Sequence, residues 1–272
     1  MNLTMPRLPK LPTLSQIPLP VRRAAYSEIR RVTTQRSGWL LPAFCAAIGL
    51  VTGLVSAGTG SGPQDGGQIA TGTATVGLYL AVLVAVVAAA VSGASATGAE
   101  YRYESMSLTA LFVPDRDVRF GAKLGVAALY SLALGLAAEI GAGIGLAILG
   151  HSEVQFGLRL TGVLLGGLLA AVCWGVAGAS LGLLLRSTGL AVTAMIGWCL
   201  VAEPLLWLIV RGIGIAGIAV LLPDSATIGV AAVGSFSHSP FLAPGAVSAV
   251  VLIIWTAAVG ALTWWKLRER DL

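Results

Sequence analysis

The chain has 272 residues, of which 56% are hydrophobic and 11% charged, with a mean hydropathy of +0.87 and a net charge of +5. A soluble domain carries about 25% charged residues, so an ordinary water-soluble fold is excluded. The modest basic excess suits anionic lipid headgroups and gives no reason to invoke nucleic acid.

Residues 1–20 contain Pro6, Pro9, Pro12, Pro18 and Pro20, which break any helix and predict a disordered arm without the apolar core of a signal peptide. Residues 21–37 predict a helix. Val21, Ala25, Ile29 and Val32 fall near one face with arginines on the others, the pattern of a helix lying in the membrane interface. Trp39 follows at headgroup level. Six apolar runs, 39–57, 75–97, 124–149, 161–185, 189–210 and 247–265, approach the roughly 20 residues a transmembrane helix needs or exceed it. Period-two alternation is absent, which argues against a transmembrane barrel.

The connections differ in character. Residues 58–73 are Gly-rich, and 151–160, with His151, Glu153 and Arg159, form a short loop on the same side. Arg186-Ser187-Thr188 is a tight turn. Residues 211–246 are apolar for a loop, but the pieces 212–222 and 226–234 are too short to span and predict short or re-entrant outer helices. Thr263-Trp264-Trp265-Lys266 closes the last span with an aromatic belt and a basic stop. The fold class is therefore an all-α integral membrane protein, with residues 21–272 forming a single transmembrane domain.

Fifteen of the 17 Lys and Arg fall on one side of these spans, and only Arg159 and Arg211 on the other. The positive-inside rule then places both termini in the cytoplasm, as an even number of spans requires.

Glu100–Lys123 is the most informative segment. It holds eight charged residues, four acidic and four basic, between two long apolar runs. Within it, residues 104–113 set Met106, Leu108, Leu111 and Phe112 among small polar residues, and Val113-Pro114 closes the stretch. A cytoplasmic helix exposing Met and Phe is a docking surface for a soluble partner. Two carboxylates, Glu139 and Glu203, lie inside spans, where an ionisable group is a functional candidate. They serve either as hydrogen-bonded packing groups or as lining of a translocation path. Glu203 precedes Pro204, where a kink is expected. A proton relay would call for an intramembrane His or basic partner, and the spans supply none.

Other patterns carry no chemistry. Gly178-Ala179-Ser180-Leu181-Gly182 matches a serine-nucleophile pattern, but it lies in a span, and both histidines, His151 and His238, fall in outer loops. Its glycines read instead as a small-xxx-small packing face. Gly212-x-Gly214-x-x-Gly217 matches a dinucleotide fingerprint in letters only. No phosphate-cradling loop surrounds Lys10, Lys123 or Lys266. Cys45, Cys173 and Cys199 sit inside spans as small core or lipid-facing residues, with no disulfide framework or metal pattern. No catalytic motif is present.

The order of these features resembles the exporter-type permease subunits of bacterial ATP-binding-cassette (ABC) transporters, six-span half-transporters without a fused ATPase. The residues that carry the likeness are the basic entry helix RRAAYSEIRRVTTQRSGW (22–39), Glu100-Tyr101-Arg102 ending the second span, then Pro114, Arg116, Arg119 and Lys123 leading into the third, and the paired short outer helices within 211–246. Where many members have a Gly-Thr pair, this chain has Glu104-Ser105-Met106.

The resemblance implies a coupling helix between spans two and three that docks a cytosolic ABC ATP-binding subunit. Coupling would fall to Glu100, Arg102, Glu104, Met106, Leu111, Phe112, Pro114, Arg116 and Lys123. It also implies pairing with a second copy or a sister permease in a bacterial plasma membrane, and export of an amphiphilic or hydrophobic drug, peptide or lipid. ATP and magnesium would be held by the partner, leaving this chain without cofactor, metal or catalytic residue. Two alternatives stand beside it: a proton- or ion-coupled secondary transporter using Glu139 and Glu203, and a non-transporting sensory or immunity subunit.

Overall fold

The computed structural model describes residues 18–59, 73–103, 115–149, 158–232 and 241–269. Among them all regular structure is helical. In chain order the helices are α1 (Leu19–Thr34), α2 (Arg36–Thr59), α3 (Thr73–Arg102), α4 (Arg116–Leu149), α5 (Leu158–Leu185), α6 (Thr188–Gly197), a π turn (Trp198–Ala202), α7 (Glu203–Gly212), a 3₁₀ helix (Ala216–Leu221), α8 (Pro223–Ala231) and α9 (Gly245–Glu269). Six stretches are long and apolar enough to cross a membrane: Arg36–Gly58, Val76–Arg102, Arg116–Leu149, Leu160–Leu185, Thr188–Gly212 and Gly245–Glu269. The protein is a multi-pass membrane protein. The predicted helix over 104–113 lies outside the described residues, as does the end of the 226–234 piece.

Boundaries differ from the apolar runs in an instructive way. α1 begins at Leu19 with Pro20 in its first turn, a position that needs no amide hydrogen and suits proline's fixed φ. α3 continues to Arg102, although its apolar run ends at 97. α4 starts at Arg116, well before the run that opens at 124. In both cases the helix outlasts the hydropathy because its charged turns find polar partners on other helices: Glu100 and Lys123 meet α1, and Asp117 meets α9. The fifth span is not one smooth helix. Pro204 follows the π turn, because it lacks the amide hydrogen and its ring crowds the preceding turn, so the backbone winds wider there.

Lipid tails are as apolar as leucine, so helices in a membrane gain little by hiding apolar surface from one another. Close packing through small residues takes over. α2 crosses α4 almost backbone to backbone. A methyl group at Gly49 would stand 2.1 Å from the Ala138 carbonyl oxygen, and one at Gly141 would stand 2.1 Å from that of Ala46. α3 and α5 cross in the same way, with Gly93 against Gly175 and Gly178 against Ala90. The small-xxx-small face expected at Gly178 and Gly182 is therefore real, and Gly182 lies against Ala94 and Thr97.

Hydroxyls add bonds between helices, one across the α3–α5 crossing and one from α9 to α5. Thr97 Oγ1 donates to the Ala179 carbonyl at 2.9 Å, and Thr263 Oγ1 to that of Ser180 at 3.1 Å. Between the two crossings lies a core of Cys45, Leu78, Ala85, Leu134, Ala138 and Ala171. The fifth span stands apart, with Leu200 72% and Leu208 68% exposed.

The corner between α1 and α2 is held from α4. Gln35 is extended, and Gly38 packs where any Cβ would meet the Val32 carbonyl oxygen at 1.8 Å. Tyr130 OH donates toward the Ser37 and Gly38 carbonyls at 3.2 and 3.3 Å.

The crossing generates a stability prediction. Gly141→Leu forces α2 and α4 apart and is expected to cost about 1–3 kcal/mol by overpacking, seen as a lower midpoint of thermal unfolding in detergent. Gly143 has open space around it, so Gly143→Ala on the same helix is expected to leave the midpoint unchanged or raise it.

Candidate functional site

Four charged side chains from three helices meet at the basic end of the bundle. Glu28 and Arg31 are one turn apart on α1, Glu100 is in the last turn of α3, and Lys123 is in the second turn of α4. Lys123 Nζ donates to Glu28 Oε1 at 2.6 Å and also to Glu100 Oε1. Arg31 donates through Nη1 to Glu100 Oε1 and through Nη2 to the Ala96 carbonyl, and its Nη1 lies 3.7 Å from Glu28 Oε2.

The side chains of Lys123 and Glu100 are each 4% exposed, and that of Glu28 is 12% exposed. The group is thus a mostly buried cluster of two carboxylates and two cations, with Arg31, 29% exposed, at its rim. Such a cluster fixes geometry more than it adds net stability, because desolvation offsets most of the Coulomb attraction. Its physical role is that of a joint: α1, α3 and α4 cannot turn relative to one another without breaking it.

Arg119, one turn before Lys123, is 8% exposed, and its Nε and Nη1 have no hydrogen-bond partner among the described residues. A second, exposed group ties the start of α4 to the end of α9. Trp264 Nε1 donates to Asp117 Oδ1 at 2.9 Å, Arg268 Nη2 to Asp117 Oδ2 at 2.6 Å, and Arg116 Nη1 to the Leu267 carbonyl at 3.3 Å. A third contact sets Arg186, in a left-handed turn at φ 52°, over the Tyr101 ring at 5.6 Å. Ser187 then caps α6. Both ends of the segment 104–114 therefore emerge from anchored helices.

Of the residues expected to couple, Glu100 and Lys123 come together, and Arg116 joins the neighbouring group. Arg102 ends α3 beside the Tyr103 ring at 5.9 Å. Glu104, Met106, Leu111, Phe112 and Pro114 lie outside the described residues. Glu28 and Arg31 escaped sequence reasoning as partners, although their opposite charges one turn apart were a visible signal.

The two carboxylates inside spans have separate surroundings. Glu139 is 8% exposed, with Oε1 unpartnered among the described residues. It occupies room left by Gly167, where a Cβ would stand 2.7 Å from Oε1. Glu203 is fully buried at the opposite end of the bundle. Its Oε1 accepts from the Ser225 amide at 2.7 Å, and its Oε2 from the Asp224 amide at 2.9 Å and Trp198 Nε1 at 3.1 Å. Ser180, the decoy nucleophile, donates to the Val176 carbonyl within its own helix.

Breaking the cluster from one side leaves a buried charge without its partner. Lys123→Met is expected to cost about 3–5 kcal/mol. The double change Lys123→Met with Glu100→Leu leaves Glu28 facing Arg31 and is expected to cost clearly less than the sum of its parts. A double-mutant cycle on thermal unfolding in detergent measures the difference.

No protein-family model, no curated protein and no solved structure matches this chain.

Proposed function

We propose that this chain is the membrane-spanning permease subunit of an ATP-driven ABC exporter. In this reading it lies in a bacterial plasma membrane with both termini in the cytoplasm. It forms the path for an amphiphilic or hydrophobic substrate and pairs with a second copy or a sister permease. A separate cytosolic subunit binds ATP and magnesium and hydrolyses the nucleotide, and this chain contributes no catalysis.

The observation that carries the reading is the buried Glu28–Arg31–Glu100–Lys123 joint. A loop that only orients spans has no need of a mostly buried four-charge cluster, which is costly to assemble. A lever does need one. Force applied to the segment 104–114 passes into α3 and α4 at the same point, with α1 held against both. In this reading Met106 and Phe112 of that segment supply the apolar contact a soluble ATPase would need. The resemblance of the segment order to exporter permeases points the same way.

The test is purification of the chain from native membranes in mild detergent, with ATPase activity measured on the eluate. A stoichiometric ATPase is expected to accompany the wild type. It is expected to be lost, by about tenfold or more, when Phe112→Ala and Glu100→Ala are combined. A chain that elutes alone and stable overturns the reading.

One observation favours a gradient-driven transporter instead: Glu139 buries a carboxyl oxygen without a partner among the described residues, in the middle of a span. That reading requires uptake or efflux in proteoliposomes that follows a proton gradient without ATP and disappears in Glu139→Gln.

A further inference from the structure

A cavity of about 230 Å³ lies between the fifth span and the α5–α9 contact. α5 lines it with Trp174, α6 with Met195, the π turn with Trp198, and α9 with Trp255 and Thr256. Pro223, where α8 begins, completes the wall. None of the described residues that line it is charged.

The three tryptophans set this cavity apart from an ordinary lipid-facing surface. In membrane proteins tryptophan gathers at the headgroup level, where the indole N–H finds a polar partner. Here all three indoles bond within the protein. Trp174 Nε1 donates to Thr227 Oγ1 at 2.8 Å, Trp198 Nε1 to Glu203 Oε2 at 3.1 Å, and Trp255 Nε1 to the Leu221 carbonyl at 2.8 Å. Thr227 donates in turn to the Pro223 carbonyl at 2.7 Å, and Glu203 accepts the Asp224 and Ser225 amide hydrogens. Each indole bond therefore ends on the segment 221–227 or on the carboxylate that holds it. A ring tied in this way cannot turn without losing a hydrogen bond away from water. Trp198 and Trp255 also brace each other, with centroids 5.9 Å apart and planes tilted by 53°. The walls are rigid before any ligand arrives, so binding has little to order.

The lining defines what fits. Thr256 Oγ1 already donates to the Leu252 carbonyl at 2.9 Å. Both carboxylate oxygens of Glu203 accept N–H donors. A charged group in the cavity would have neither water nor a counter-ion, which is costly, so the occupant is neutral. Size narrows it further. An apolar cavity of about 150 Å³ takes up benzene, and this one is larger by roughly half, enough for a second fused ring. A lipid tail would fill the same space but gains little, because it leaves equally apolar neighbours in the bilayer. An aromatic ring gains offset-stacked or edge-to-face contacts with fixed indoles that no saturated chain returns.

We propose that this cavity is a binding site for a neutral aromatic group of one or two rings, taken up sideways from the bilayer. Trp174, Trp198 and Trp255 supply the ring contacts, and Met195, unbranched and adaptable, fits itself to the outline of the ligand. The mouth faces lipid, since Ala194 and Trp255 belong to the lining and both are exposed within spans. In the exporter reading this aromatic group is part of the cargo. Only that last assignment rests on the exporter reading, and the binding itself does not.

The experiment is photolabelling of the full chain in lipid nanodiscs with a neutral aryl trifluoromethyl diazirine carrying one benzene ring, followed by peptide mass spectrometry. Labelling within 173–181, 194–198 and 252–259, which hold the lining of α5, the fifth span and α9, is expected to saturate with probe concentration. Labelling at the exposed Leu200 and Leu208 is expected to rise without saturation. Naphthalene is expected to compete for the saturable part. Decalin, of similar size but saturated, is expected to need about a two- to tenfold higher concentration per lipid, and naphthylmethylammonium to compete more weakly than naphthalene. Ala177→Leu, which fills the cavity from α5, is expected to remove the saturable part and leave Leu200 and Leu208 unchanged. Labelling of the lining that never saturates, decalin or the ammonium competing as well as naphthalene, or an Ala177→Leu chain that labels like the wild type overturns the proposal. If Ala177→Leu fails to fold, the wild type and the competitors decide alone. The readout involves no ATPase, so its failure is distinguishable from failure of the exporter reading.

Discussion

One carboxylate oxygen, Glu100 Oε1, accepts from both Lys123 and Arg31, and the architecture of the basic end depends on it. Glu100 is 4% exposed, where an unpaired charge costs several kcal/mol. The two cations must therefore come to it, and each brings a helix. Arg31 fixes the roll of α1 about its axis, and Lys123 fixes the height at which α4 leaves the bundle. Glu28 completes the arrangement by sharing Lys123. The opposite end follows the same logic with different partners: Glu203 gathers backbone and indole hydrogens instead of cations, and thereby holds α8. Each end of the bundle is thus organised by one buried carboxylate.

Between these two anchors the bundle is held by backbone proximity. The α2–α4 and α3–α5 crossings leave no space for side-chain rearrangement, so each pair behaves as a unit. The fifth span makes such a close approach at its start, where Gly98 of α3 lies against Thr188. Its π turn and the exposed Leu200 and Leu208 mark it as the element least constrained by the rest. Relative motion within this fold is therefore easiest between the fifth span and the α3–α5 pair, where the lined cavity also lies.

The spans were legible because lipid imposes a simple rule: about 20 apolar residues without charge. Their ends were not. Hydropathy stops at the last apolar residue, while α3 and α4 continue as long as backbone bonding and ion pairing support them, carrying Arg102 and Arg116 into helix. Pro204 announced an irregularity at the fifth span, but a proline signal does not distinguish a kink from a π turn. Glu100 and Lys123 could be singled out because charge between two spans is conspicuous. Arg31 could not be told from Arg22, Arg23 or Arg30, since its distinction lies in a carboxylate 69 residues away. Asp224 was hidden for the same reason: it sits in an apolar loop, and only the fold sets it beside Glu203.

The joint also has a consequence for how the chain is made. Its members emerge from the ribosome in the order Glu28, Arg31, Glu100, Lys123. Once the second span is inserted, Glu100 can find Arg31, but the carboxylates of Glu100 and Glu28 together still outnumber the cations at that site by one until the third span delivers Lys123. A chain arrested between those two events leaves one carboxylate of the joint without the cation that pairs it in the folded protein. Arrival of Lys123 at the start of the third span is therefore the step that balances the charges of the joint.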